Sequence, residues 1–174
     1  MTRAIISLGS NIEPQDKIKE ALARLGKGFA IENISHVFRT KPEGGRKQPW
    51  FLNCSVQVET GKSLDEIKIL LKKVEREMGR ERIEDKFAQR VIDLDLVIYG
   101  DDYIESDFLK IPDPDIYERA YLARTVGELV PDYNLPGSRK NINDLAEELG
   151  ESELVPLTDF TDLLRREILH EHRL

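Results

Sequence analysis

Apolar positions along this chain switch between a repeat of two and a repeat near 3.6, and the switches predict its elements. Ala4–Leu8 is an apolar run closed by Gly9-Ser10-Asn11, which reads as a strand ending in a turn. Ile18, Ala21, Leu22 and Leu25 follow at helical spacing, with Pro14 near the first turn and Gly26 and Gly28 at the end. A strand is expected over Ala30–Arg39 and a turn-rich loop over Thr40–Pro49. Trp50–Val58 alternates: Leu52, Cys54, Val56 and Val58 make an apolar side, and Phe51, Asn53, Ser55 and Gln57 a mostly polar one. Ser63, with Glu66 three residues on, forms a capping box before the stripe Ile67, Leu70, Leu71, Val74, Met78, which Gly79 ends. After a charged, irregular stretch over 80–90, Val91–Tyr99 reads as a strand and Tyr103-Ile104 with Leu109-Lys110-Ile111 as a short hairpin. Three helices close the chain: Ile116–Val130 capped from Pro112–Asp115, a short one capped by Asn143 and ending at Gly150, and Asp159–His170.

The order β-α-β-β-α-β plus helical additions predicts an α+β chain with a ferredoxin-like core. In it one antiparallel sheet carries helices on one face, and the other face is free for a site. The 174 residues suit a single domain over 1–174.

Charge narrows the picture. Lys and Arg total 26 against 33 Asp and Glu, a net charge of −7, so the basic footprint of a nucleic-acid binder is missing at the level of the whole chain. Cys54 is the sole cysteine, which excludes an internal disulfide and suits a buried, inert thiol. No run approaches the roughly 18 apolar residues of a membrane span, and Met1-Thr2-Arg3 opens no signal-peptide pattern. A cytosolic protein without membrane partners is expected; the oligomeric state is left open.

The strongest chemical signal is Asp93 and Asp95 in Val91-Ile92-Asp93-Leu94-Asp95-Leu96. Alternation puts both carboxylates on one face, about 6–7 Å apart, while Leu94 and Leu96 point to the core. Asp is depleted in strands, and two on one face repel unless something positive joins them. Mg²⁺ ions bound to phosphate would do so, and so would neighbouring Arg or Lys on a solvated face. Arg80, Arg82, Lys86 and Arg90 lie just upstream, cations of the kind phosphoryl transfer requires, though Glu81, Glu84 and Asp85 interleave as in an ordinary salted loop. Phe51 beside Asn53 offers an aromatic platform and an amide for a flat heterocycle, or a small apolar patch. Gly61-Lys62-Ser63 lacks the first glycine of a phosphate loop, and no G-x-G-x-x-G is present. His36, His170 and His172 have no zinc-ligand spacing with Cys54.

Together these pieces resemble the 6-hydroxymethyl-7,8-dihydropterin pyrophosphokinase family. The resemblance spans about 1–131 and rests on Leu8-Gly9-Ser10-Asn11, Phe38-Arg39-Thr40, Gln48-Pro49-Trp50-Phe51-Leu52-Asn53, Glu75, Gly79-Arg80, and above all Arg90-Val91-Ile92-Asp93-Leu94-Asp95-Leu96, which is similar to the family's R-x-x-D-L-D signature. It implies an ATP-dependent diphosphotransferase that passes pyrophosphate to the pterin hydroxymethyl oxygen and releases AMP, in folate biosynthesis. By similarity Asp93 and Asp95 bind two Mg²⁺ ions and, with Arg82 and Arg90, form the catalytic set. Thr40, Pro42, Gly44, Phe51, Asn53 and Tyr121 meet the pterin. Glu75, Arg82, Lys86, Arg90, Leu96 (through its backbone), Lys110 and Arg119 meet ATP.

The chain departs from the family pattern at Phe87-Ala88-Gln89, at Asp113 after Pro112, at Lys41 and at Lys72. Those departures bear on ATP affinity, turnover and loop closure, and motivate an alternative: a relative that binds pterin or nucleotide without turnover. A βαββαβ RNA-binding module is a third reading, but Trp50–Val56 lacks the aromatic pattern of such modules. Residues 155–174 fall outside the resemblance.

Overall fold

The structure, a computed structural model, describes residues 1–42, 44, 47–80, 90–151 and 153–171. Arg82, Lys86 and the Phe87-Ala88-Gln89 departure lie outside the described residues. The chain is a mixed α/β fold. Strands β1 (Thr2–Ser10), β2 (Ala30–Ile34), β3 (Phe38–Thr40), β4 (Phe51–Thr60), β5 (Asp93–Tyr99) and β8 (Val155–Pro156) build one antiparallel sheet. Its order is β5-β1-β4-β3-β8, with β2 also paired to β4. Strands β6 (Ile104–Glu105) and β7 (Lys110–Ile111) form a separate small hairpin. The helices are α1 (Pro14–Leu25), α2 (Leu64–Glu77), α3 (Ala120–Leu129), α4 (Ile142–Leu149) and α5 (Thr158–Glu171).

Period two decides the two sides of the sheet. Ala4, Ile6 and Leu8 of β1, Leu52, Cys54, Val56 and Val58 of β4, and Leu94 and Leu96 of β5 all face one core. Helix α1 adds Ile18, Ala21, Leu22 and Leu25, helix α2 adds Ile67, Leu71 and Val74, and α5 adds Leu164 and Ile168. Burial pushes the Cys54 thiol up to about 12, so it is an inert core group. Helix α2 starts where its capping box sets it: the Glu66 N–H donates to Ser63 Oγ at 3.2 Å and the Ser63 N–H to Glu66 Oε2 at 2.7 Å.

Four expectations need correction. The strand expected over Ala30–Arg39 is two strands, because Ser35–Val37 leaves the ladder; Ser35 Oγ accepts from the Ser55 N–H instead. The helix expected from Ile116 to Val130 begins as one 3-10 turn, Pro114–Tyr117, and restarts as α3 at Ala120. Asn141, not Asn143, caps α4: its side-chain oxygen accepts from the Asn143 N–H at 2.8 Å. Helices cover both faces of the sheet, since α3 and α4 pack with Ile5, Val97 and Ile98 in a second core opposite α1 and α2. Only part of that second face is left open.

Candidate active site

The open part of the second face is organised by strand register. Gly9 of β1 stands opposite Asn53 of β4 and opposite Asp93 of β5, and Asn53 stands opposite Phe38 of β3. Paired residues point to the same side, so Asp93, Gly9, Asn53 and Phe38 form one row across the sheet. With strands spaced about 4.8 Å apart, the carboxylate and the amide are separated by roughly 10 Å. Gly9 is what opens the floor between them: a Cβ there would stand 2.7 Å from Asn53 Oδ1. The next row toward the loop holds Thr40 and Phe51.

At one end of this floor is a charged network. Helix α2 ends in a Schellman motif at Gly79 (φ 86°): the Arg80 N–H donates to Glu75 C=O and the Gly79 N–H to Arg76 C=O, both at 3.0 Å. That turn brings the Arg80 guanidinium onto the carboxylates of Glu75 and Asp93, the latter at 2.7 Å. Arg90 Nη1 reaches Asp93 Oδ2 at 3.1 Å. Glu75 is only 5% exposed, and its carboxylate also accepts the Leu94 N–H at 3.1 Å. It therefore holds the strand that carries both aspartates, while Arg80 supplies its countercharge.

Asp95 lies two residues along, and no described Arg or Lys forms an ion pair with it. Solvent reaches its carboxyl, yet the protein wall around it and the charges of Asp93 and Asp113 push its pKa up to about 7; Arg80 opposes this only in part. Asp113 is brought to the same place by its N–H, which donates to Val97 C=O at 2.9 Å. Its side chain caps the 3-10 turn by accepting the Asp115 N–H at 2.9 Å, and burial raises its pKa too. Asp95 and Asp113 line a cavity of about 300 Å³ beside the outer edge of β5, where no other described strand of the sheet pairs. Its other walls include Leu96, Lys110 and Lys72. Arg119 stands just before α3 and pairs with Asp115 at 3.1 Å.

At the other end is the amide. Asn53 is buried, and its Nδ2 donates to Thr40 Oγ1 at 2.7 Å. Phe51 is half-buried one row away. Helix α3 is fastened over β4 two residues past Asn53, where Ser55 Oγ and Thr125 Oγ1 lie 2.8 Å apart. Tyr121 is one helical turn before Thr125 and half-buried. Pro42 is half-buried, and Gly44 is exposed with φ 76°, a backbone state that suits glycine.

Three residues of this site are absent from the sequence-derived set. Arg80 was visible as one cation among several and as part of the Gly79-Arg80 piece of the resemblance, with no role attached. Asp113 stood out as a departure, with no hint that it joins Asp95. Asn11 is the third, and it ties the two ends together. Its Nδ2 donates to Gln48 Oε1 at 3.1 Å and Pro49 C=O at 3.2 Å, while its Oδ1 accepts the Arg90 N–H at 2.8 Å. Its signals in the sequence were its place in the Leu8-Gly9-Ser10-Asn11 piece of the resemblance and its polarity in the turn after β1, which is also ordinary turn chemistry.

Comparison with known proteins gives consistent matches. Residues 5–131 match the family model described as 7,8-dihydro-6-hydroxymethylpterin-pyrophosphokinase. The 2-amino-4-hydroxy-6-hydroxymethyldihydropteridine pyrophosphokinase of Haemophilus influenzae is 30% identical over 162 residues, covering 90% of this chain and 99% of that protein. The enzyme of the same name from Synechocystis is 32% identical over 163 residues, covering 92% and 83%. Among solved structures, a Plasmodium falciparum HPPK-DHPS chain superposes with a TM-score of 0.66 at 12% identity, covering 90% of this chain. This chain spans about half of that longer one, 47% of its length, so the likeness concerns the fold of one part.

Proposed function

We propose that this chain, which belongs to the 7,8-dihydro-6-hydroxymethylpterin-pyrophosphokinase family, holds a reduced pterin at the Asn53 end of its floor and the triphosphate of ATP at the Asp93 end. The chain is a transferase of folate biosynthesis: it moves pyrophosphate from ATP to the hydroxymethyl oxygen of 6-hydroxymethyl-7,8-dihydropterin. The hydroxyl oxygen forms a bond to the β-phosphorus and gives its proton to solvent, the bond from that phosphorus to the α-phosphate oxygen breaks, and AMP leaves with the electron pair. The observation that carries the assignment of ends is the row Asp93–Gly9–Asn53. An amide that reads a heterocycle and a carboxylate that serves phosphates stand about two strand spacings apart on one floor. We read the sheet order and the α1 and α2 crossovers as a ferredoxin-like core.

The donor set fits Mg²⁺. Asp93 and Asp95 are hard oxygen donors, and the charge that raises the Asp95 pKa is what a divalent cation relieves. In this reading Asp93 and Asp95 hold two Mg²⁺ ions, which supply Lewis-acid charge to the phosphate oxygens. The chain's own groups do the rest. Asn53 and Thr40 orient the pterin edge, Phe51 and Tyr121 flank its ring, and Pro42 and Gly44 belong to the loop above it. Arg90 and Arg119, with Arg82 and Lys86, neutralise phosphate charge. Leu96 and Lys110 wall the nucleotide side, and Glu75 keeps Leu94, and so the aspartates, in place. Catalysis is then positioning and charge neutralisation, with no covalent nucleophile. No described helix is long and apolar enough to cross a membrane, and a cytosolic enzyme working on two small molecules is part of this proposal.

The test is incubation with ATP, Mg²⁺ and hydroxymethyldihydropterin, reading AMP and pterin diphosphate by chromatography. Equal AMP from wild type and an Asp93→Ala, Asp95→Ala control would sink the assignment of the carboxylates.

A further inference from the structure

The C-terminal segment has no part in the site as described, yet it grips the strand next to it. Val37, the residue before β3, has both backbone groups taken by that segment. Its C=O accepts the Leu157 N–H at 2.8 Å, and its N–H donates to Thr161 Oγ1 at 2.9 Å. Thr161 Oγ1 in turn donates to Leu157 C=O at 2.8 Å, which closes a ring of hydrogen bonds. Val37 and Thr161 are both fully buried. Just upstream, β8 pairs with β3, setting Val155 opposite Arg39 and Pro156 opposite Phe38. Farther along α5, Arg165 Nε donates to Ile34 C=O at 3.0 Å.

Strand β3 has only three residues, and on its other side it pairs with β4 alone. A strand that short has little hold of its own. Its position relative to β4 nevertheless sets the distance between Thr40 and Asn53, and Phe38 stands beside Asn53 in the cross-sheet row. We propose that Val155–Glu171 is a clamp that fixes β3 from outside, and that Thr161 is a positioning residue for reduced-pterin binding. The inference rests on the reading that Thr40 and Asn53 receive the pterin. It separates the two substrates: among the described residues, the clamp's hydrogen bonds and strand pairing reach Ile34, Val37, Phe38 and Arg39, beside the Asn53 end, and none reaches Asp93 or Asp95.

Thr161→Val keeps the shape and removes the acceptor of the Val37 N–H. Steady-state kinetics should show the pterin KM raised about five- to tenfold with the ATP KM within about twofold of wild type. Thr161→Ser restores the hydroxyl and should restore the pterin KM. Arg165→Met removes a bond to β2 instead; it should lower Tm and leave the pterin KM within about twofold. The double change Val155→Gly, Pro156→Gly loosens β8 at two exposed positions and should raise the pterin KM about two- to threefold, a reading available even if Thr161→Val does not fold. The proposal is overturned if Thr161→Val and the β8 variant leave the pterin KM unchanged, if both KM values rise together, or if Arg165→Met raises the pterin KM as much. Asn53→Ala separates the two layers. If it raises the pterin KM and the clamp variants do not, the clamp fails while the pterin site stands; if it has no effect, the pterin site itself is misplaced.

Discussion

The two faces of one sheet are built from the same strands by opposite rules. On the face toward α1, α2 and α5, Leu52, Cys54, Val56, Leu94 and Leu96 interlock with helix residues, and no one of them is chemically special. On the other face, at the same strand positions shifted by one residue, stand Asn53, Asp93 and Asp95, each with a particular partner or an unmet charge. The first face spreads its contribution over many contacts, so a change there costs stability in proportion to the volume removed. The second concentrates it, so a change there removes a function while the fold remains.

The sharpest form of that contrast is Asp95→Ala. It should cut kcat by about 10³-fold or more, the scale of losing an electrostatic stabiliser of the transition state, with Tm unchanged or raised. Circular dichroism melting beside the AMP assay reads both, and a collapse of Tm would erase the distinction between faces. Leu22→Ala is the reverse case: Leu22 is fully buried in the first core, so urea unfolding should show a loss of about 2–5 kcal/mol. Activity per folded molecule should stay near wild type well below the transition.

Arg80→Met tests the residue that belongs to both faces. It takes the Arg80 cation from buried Glu75 and leaves Asp93 paired with Arg90. A loss of about 3 kcal/mol of stability should accompany a fall in kcat/KM. Adding Glu75→Gln, which keeps a side-chain acceptor for the Leu94 N–H, should recover part of the stability and none of the activity.

The smallest effect is in pH. Asp95 is held as the acid up to about 7, by the protein wall beside its carboxyl and by the charges of Asp93 and Asp113, while in the unfolded chain it ionises near the usual carboxylate value. Between those values the folded state carries the extra proton, so this group's contribution falls as pH rises from about 4 to about 7 and is level above. Asp113, raised in the same direction, adds to the trend. Asp95→Asn should flatten that part of the Tm-against-pH curve, and without metal should melt above wild type at pH 8. An unchanged curve would mean that Asp95 carries no such strain.

Much of the site could be read before any coordinates. Asp93 and Asp95 sharing a face, the Phe51–Asn53 side of β4 and the capping box of α2 follow from backbone periods that act over a few residues. The R-x-x-D-L-D resemblance added the chemistry. Errors fell where tertiary contacts override local preference. The break at Ser35–Val37 exists because the side chains of Glu128 and Thr161 take the His36 and Val37 N–H groups, while the Ser35 hydroxyl takes the Ser55 N–H. Helices on both faces follow from α3 finding the polar side of β4 through Ser55 and Thr125, a pairing 70 residues apart.

By itself the sequence determined which side of each strand a residue occupies, where α2 begins, and which family the chain resembles. Each is a matter of alternation, capping or a contiguous signature, set by neighbours along the backbone. Only the tertiary structure decided that Gly9 lies between Asn53 and Asp93, that Arg80 joins Glu75 to Asp93, that Asn11 bridges the Pro49 loop to Arg90, and that the C-terminal segment closes on Val37. Those are relations of register and docking between distant segments. A strand's period says which way a side chain points but leaves open which strand lies beside it, and packing and hydrogen-bond satisfaction settle that choice.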